Sequence, residues 1–443
     1  MAQEPADTII SARWIIPVEP QGVVLSGHSV VVRDGKIQAL LPTSDATTQY
    51  RAAEHVELPE HALIPGLVNL HTHAAMTLLR GLSDDLPLMR WLQEHIWPAE
   101  ARHVSEQFVH DGSLLACAEM LRGGITTFND MYFFPGAAAR AALESGMRAA
   151  IGIIAIEFPT AYASDPDDYL RKGLAVRDEL RGESRLSFCM APHAPYTVSD
   201  KTFARIIVMA DELDLPVHVH LHETQEEIDT SLSRYKVRPL ARLNALGLVG
   251  PRMISVHSVH LDAGEIDLLA AASASVAHCP SSNLKLASGF APVEHMRSAG
   301  INVGLGTDGA ASNNRLDMFE EMRTAAMLAK AVCGKADAMP ADAALRAATL
   351  NGARALGLER RIGSIVPGKE ADLCAVSFDG PEMSPCYDPT SHIVYAASRR
   401  NVTDVWVAGS PVLRNRELTR VDTSALDNRI QMWQNKIVVE TLT

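Results

Sequence analysis

The chain has 443 residues, 47% of them hydrophobic, with 40 basic and 53 acidic side chains and a formal net charge of −13. That length exceeds one small domain and suits a large barrel with a smaller appendage. The acidic balance repels phosphate backbones and argues against nucleic acid as a partner, and no uninterrupted apolar run offers a membrane span.

The chain opens on MAQEPADTII, with early acids and no basic n-region before an apolar run, so it does not read as a secretory signal. Short strands follow over the first 60 or so residues, with Asp34-Gly35 as a hairpin turn. The same texture returns after Gly363 and again from Asn401. Residues 1–62 and 363–443 are therefore expected to form one small β-sandwich domain from both chain ends. Between them, residues 63–362 alternate short apolar runs with helical patterns. Eight strands are predicted, at 63–70, 124–129, 148–156, 186–192, 215–221, 253–257, 274–278 and 301–306. Alternation of this kind implies parallel strands with crossover helices, an α/β chain built on a (β/α)8 TIM-like barrel. Six cysteines are scattered without a CxxC pair, as in a cytoplasmic protein with reduced thiols.

Polar residues fall at the ends of the predicted strands. The first ends in His71-Thr-His73, and a spacing of two places both imidazoles on one face. Alone, such a pair is weak evidence and could be two surface histidines. The fifth reads Val217-His218-Val219-His220-Leu221-His222-Glu223. His220 is taken as the ligand, His218 and His222 as packing or supporting residues, and Glu223 lies just beyond. The sixth carries His257 and His260, either of which could face the site, with His257 nearer the strand end. The eighth ends in Asp308, flanked by glycines. Four strand-end signals in barrel order are hard to explain by packing alone. Three imidazoles and a carboxylate suit zinc or ferrous iron with a position left for water. An ion there would activate the water, with carboxylates moving the protons.

These stretches resemble the amidohydrolase superfamily over essentially the whole chain, and more narrowly the 5-methylthioadenosine/S-adenosylhomocysteine deaminases. The resemblance rests on Pro65 through Gly81, Trp91 through Glu100, Ala191-Pro-His193-Ala-Pro-Tyr, His220-Leu-His-Glu223-Thr, His278-Cys-Pro-Ser-Ser-Asn-Leu-Lys-Leu and Gly306-Thr-Asp308-Gly-Ala-Ala-Ser-Asn-Asn. It implies His71, His73, His220 and Asp308 as ligands of one divalent metal per subunit. It implies Glu223 as proton shuttle to the purine ring and His257 as the histidine that orients the hydrolytic water. Asp308 would also accept the water proton, Glu100 would accept hydrogen bonds from the ribose hydroxyls, and His193 would touch substrate. By composition alone Glu100 reads as a solvated helix residue.

Two departures from the superfamily matter. Some members bridge two metals with a modified lysine after the fourth strand, and Arg185 through His193 contains none, which implies one metal and favours deamination. Some deaminases place arginines after the third strand, against the homocysteine carboxylate. Residues 152–168 hold none, which favours methylthioadenosine unless Arg171 or Lys172 folds back. The alternative reading is a deaminase or hydrolase of another amino- or halo-heterocycle, such as guanine or a triazine, because loops decide specificity on a shared metal site. A small-molecule substrate, no nucleic acid, no membrane and a homo-oligomer are the expected partners.

Overall fold

The computed structural model describes residues 3–442. Met1, Ala2 and Thr443, at the outer ends of the two terminal segments, lie outside the described residues. No described helix is long and apolar enough to cross a membrane.

The chain starts with strands β1 (Glu4–Ile15), β2 (Leu25–Arg33), β3 (Lys36–Pro42) and β4 (Tyr50–Pro65). It continues into β5 (Leu67–Thr72), β6 (Ile125–Asp130), β7 (Arg148–Ala155), β8 (Leu186–Pro192), β9 (Val217–Leu221), β10 (Met253–His257), β11 (Ser275–His278) and β12 (Asn302–Leu305). Those eight pair in parallel, each with its chain neighbour, and helices cross between them. This is the expected TIM-like barrel. Its seam lies between β12 and β5, which approach without a backbone ladder. Asn69 and Thr307 close it with two hydrogen bonds of 2.7 and 2.9 Å, and the Asp308 N–H donates to the His71 carbonyl at 3.0 Å. Gly306 permits this approach, since a Cβ there would stand 2.8 Å from the His71 nitrogen.

Both chain ends build the second unit. β13 (Leu373–Ser377), β14 (Val402–Val407), β15 (Ser410–Arg414) and β16 (Glu417–Leu418) extend β1–β4 into one sheet in the order β16-β15-β14-β13-β4-β1-β2-β3. The sheet curls back on itself. Residues from distant strands, Val32 and Ile37 with Leu373 and Trp406, bury one apolar cluster, and the Ile37 N–H donates to the Lys369 carbonyl. The sandwich-like unit is thus one continuous sheet.

Two boundaries differ from expectation. Leu63, Ile64 and Pro65 pair with β13, so they belong to the terminal sheet, and the first barrel strand begins at Leu67. Gly66 alone separates the two sheets, pressed so close to Thr126 that a Cβ would clash at 2.3 Å. At the other end, not all of 363–443 joins the sheet. The helix Thr423–Leu442 lies on the barrel helix Glu106–Arg122, where Trp433 meets Phe108 edge to face and donates to Asp111 at 3.0 Å.

Candidate metal centre

Strand alternation sorts the residues of β5. Val68 and Leu70 join an apolar cluster with Ala353 and Leu356, which leaves Asn69 and His71 on the opposite face. His71, His73, His220 and Asp308, from the ends of β5, β9 and β12, meet there. Asp308 Oδ1 lies 3.2 Å from His71 Nε2 and 3.3 Å from His73 Nε2, and His220 Nε2 lies 3.2 Å from His71 Nε2. The His257 ring nitrogen stands within 4.8 Å of those of His71 and His220.

The other ring nitrogens decide what this cluster can do. His73 Nδ1 is 2.6 Å from the Met131 carbonyl, and His220 Nδ1 is 2.8 Å from the His193 carbonyl. A carbonyl only accepts, so both Nδ1 atoms carry the proton and both Nε2 atoms present lone pairs. His71 Nδ1 is likewise occupied, by His218 Nε2 at 2.9 Å. Lone pairs and a carboxylate facing one point repel one another unless a cation lies between them. Donor separations of 3.2–3.3 Å are close to the about 3.4 Å edge of a tetrahedron with zinc–nitrogen bonds. The residues fit a single divalent ion. Burial also presses their charge states in the required direction: it holds His220 well below the ordinary histidine range and His71 down to about 4, both neutral.

Asp308 is fixed on both oxygens. Its Oδ1 accepts from the Gly309 N–H at 2.8 Å. Its Oδ2 accepts from the Ser282 hydroxyl at 2.6 Å and the Ser312 hydroxyl at 2.7 Å. Sequence reasoning missed both serines, although each lies in a quoted stretch. The backbone is bent here as well. His257 and Asp308 have φ of +68° and +60°, a left-handed conformation that costs a non-glycine residue about 1 kcal/mol or more and that aims both side chains at the rim.

The cluster forms the floor of a cavity of about 650 Å³ whose walls are largely apolar, including Trp91, Trp97, Phe133, Ile154 and Phe158. Glu223, His193 and Glu100 all line it. Burial raises the Glu223 carboxyl, and its Oε2 is 3.7 Å from His257 Nε2. His257 in turn holds Asn283 through Nδ1 at 2.8 Å. His193 is kept neutral by burial, down to about 3, and its ring packs 4.9 Å from that of His220. Glu100, on the helix Trp97–His103, accepts from the Tyr132 hydroxyl at 2.6 Å. Burial lifts its carboxyl to about 7 against that hydrogen bond.

The remaining histidines divide. His218 supports His71 from behind. His222 turns away with φ of +54° and accepts from the Leu240 N–H at 3.1 Å, and His260 bonds the Ser288 carbonyl at 2.7 Å. Arg171 pairs with Asp168, and Lys172 donates to the Tyr162 carbonyl at 2.6 Å and pairs with Asp168 at 2.9 Å. Neither lines this cavity, nor does any other described Arg or Lys.

Comparison with known proteins identifies the family. A profile of the amidohydrolase family matches residues 62–412. A 5-methylthioadenosine/S-adenosylhomocysteine deaminase of Saccharophagus degradans is 50% identical over 98% of this chain and 97% of its own. A protein of the same name from Teredinibacter turnerae is 46% identical over 97% and 98%. The crystal structure of an adenosine deaminase from Xanthomonas campestris with bound zinc superposes with a TM-score of 0.98 at 51% identity, over 99% of this chain and 100% of that one. A zinc-complexed atrazine chlorohydrolase from Arthrobacter aurescens shares the fold at 22% identity, with a TM-score of 0.89 over 96% and 100% of the two chains.

Proposed function

This chain belongs to the amidohydrolase family, and within it to the 5-methylthioadenosine/S-adenosylhomocysteine deaminases, and from that premise we propose that it hydrolyses the 6-amino group of an adenosine-type nucleoside. The products are the inosine analogue and ammonia. The observation that carries this is the convergence of three imidazole Nε2 atoms and the Asp308 carboxylate at an apolar cavity whose wall presents Glu100.

His71, His73, His220 and Asp308 are the proposed ligands, and zinc is the proposed ion, with ferrous iron compatible with the same donors. When bound, the ion supplies Lewis acidity that brings the pKa of a water toward neutrality. Everything else falls to the protein. Asp308 accepts the proton that the water loses as its oxygen adds to C6 of the purine. Glu223 sits in a buried environment that favours its protonated form, so it delivers a proton to the ring nitrogen beside C6. His257, next to Glu223, positions the water. As the tetrahedral carbon collapses, the C6–N bond breaks, the amine takes the proton held by Asp308 and leaves as ammonia, and the proton of the new C6 hydroxyl returns to Glu223 as the carbonyl forms. Glu100 accepts the ribose hydroxyls, with Tyr132 orienting its carboxylate, and His193 contacts the nucleoside.

Ammonia release from zinc-loaded protein tests this reading. Methylthioadenosine, S-adenosylhomocysteine or adenosine is expected to react, and guanine and a triazine are not, since neither carries a ribose for Glu100. Turnover of a free heterocycle with none of the nucleosides would favour the alternative specificity. We also propose a cytoplasmic location, consistent with six free cysteines. A homo-oligomer is proposed as the assembly, supported by exposed apolar side chains such as Phe290 and Leu284. Light scattering of the purified protein at a single mass of one chain would rule it out.

A further inference from the structure

A second cavity lies against the aromatic wall of the one above the metal centre. Leu88, Trp97, Phe158 and Tyr196 line both, and the second has a volume of about 410 Å³. Trp97 and Phe158 meet edge to face, with ring centroids 5.8 Å apart. The two cavities differ in chemistry. The first is lined by no arginine or lysine, whereas the second has Arg234 together with Glu157, Glu226 and Glu227. Glu226, Thr230 and Arg234 follow one another at intervals of four on the helix Gln225–Tyr235, so one helix face presents an acid, a hydroxyl and a guanidinium in line. Arg234 is exposed, lies over the Tyr235 ring at 5.1 Å, and pairs with no carboxylate among the described residues. An independent observation also points to a ligand. Glu227 lines the same cavity and is 6% exposed, and its Oε2 accepts the Glu223 N–H at 2.9 Å while its Oε1 has no partner. A buried carboxyl oxygen without a partner is costly until something polar meets it.

We propose that this second cavity is the subsite for the α-amino-acid end of a long 5′-thioether substituent, with the carboxylate at Arg234 and the ammonium at Glu226 and Glu157. The assignment rests on the nucleoside-deaminase reading for what occupies the first cavity. Charge selects the ligand class. A phosphorylated tail would face three glutamates with one arginine, a polyamine would leave Arg234 unpaired, and an apolar tail has no reason to leave the first cavity. A zwitterion satisfies both signs. S-adenosylhomocysteine carries such an end, while the methyl group of methylthioadenosine stops in the aromatic part. The cation missing after β7 is therefore supplied from the helix after β9, and the longer substrate is accommodated.

The test is the ratio of kcat/KM for S-adenosylhomocysteine to kcat/KM for methylthioadenosine, on zinc-loaded protein. Arg234→Gln is expected to lower that ratio about tenfold, and Arg234→Glu further, because an attractive charge becomes a repulsive one. Arg171→Gln, at a surface residue paired with Asp168, leaves it unchanged. With the decarboxylated analogue, 5′-(3-aminopropylthio)-5′-deoxyadenosine, the Arg234→Gln penalty disappears. A ratio within about twofold of the unaltered protein in both Arg234 variants overturns the proposal, as does an equal penalty on the decarboxylated analogue. If the unaltered protein releases ammonia from neither nucleoside, the deaminase reading fails separately. Calorimetric binding of S-adenosylhomocysteine then decides the subsite: weaker binding in Arg234→Glu supports it, and unchanged binding contradicts it.

Discussion

Asp308 faces two ways, with Oδ1 toward His71 and His73 and Oδ2 held by two serine hydroxyls. Asp308→Asn exchanges one acceptor for a donor and removes the proton acceptor. It is expected to lower kcat by about 10²–10⁴-fold and to reduce bound zinc, with an unchanged circular dichroism spectrum. Full activity would remove Asp308 from the mechanism. Glu100 makes a different prediction, because its carboxyl lies at about 7 through burial. Only the ionised form accepts two ribose hydroxyls, so kcat/KM for the nucleoside rises as pH climbs through about 7. Glu100→Gln abolishes that limb and raises KM about tenfold or more. A limb that persists in the variant would assign it to another group. The strand-end histidines and Asp308 were legible because period two and a glycine-flanked strand end are local signals. Glu100, Tyr132, His218, Ser282 and Ser312 were less so. A residue on a short helix, or a hydroxyl reaching a carboxylate 26 positions away, shows its use only once the barrel brings the segments together.

At the scale of elements, all eight barrel strands were visible as short apolar runs between helical patterns, and most boundaries shifted by only a residue or two. The exception is the first. The run from Leu63 to Leu70 is apolar except for Asn69, yet it crosses from one sheet into another at Gly66, and no periodicity marks a handover between two buried strands. Loop support behind the metal centre is a second element-scale feature. Glu321, on the helix Met318–Cys333, accepts from the Ser281 N–H at 3.1 Å and the Asn313 side chain at 2.8 Å, and so ties together the segments after β11 and β12. Burial raises its carboxyl to about 8. A carboxyl raised by folding favours the protonated native state. Its contribution is complete below the ordinary value of 4.5 and is lost as pH climbs through about 8. Glu321→Gln cannot ionise, so its melting temperature should fall less between the ordinary value of 4.5 and about pH 8 than that of the unaltered protein. Parallel curves for the two proteins would show that Glu321 does not titrate there.

At the scale of the molecule, one residue joins barrel and terminal sheet. Arg148, at the start of β7, is fully buried and reaches out of the barrel to Asp372 with two bonds of 3.1 and 3.2 Å, and to Glu370. Removing one partner of a buried pair strands the other charges, so Arg148→Ala is expected to cost about 3–5 kcal/mol, read from the denaturant midpoint. A cost under about 1 kcal/mol would mean that other contacts, such as Arg399 with Glu119 and apolar packing, hold the two units together. The two-unit organisation itself was legible, since both chain ends share a β-rich texture. The return of the last helix to the barrel was not, because its docking depends on Trp433 finding Phe108 and Asp111 more than 300 positions away. These scales converge on one reaction, hydrolytic replacement of an amino group at C6 by a zinc-dependent site. Its most direct test is the mass spectrum of the nucleoside formed from methylthioadenosine by zinc-loaded protein in oxygen-18 water. The account predicts one labelled oxygen at C6, one ammonia released per turnover, and an intact bond between base and ribose. An unlabelled product, or free adenine, would contradict it.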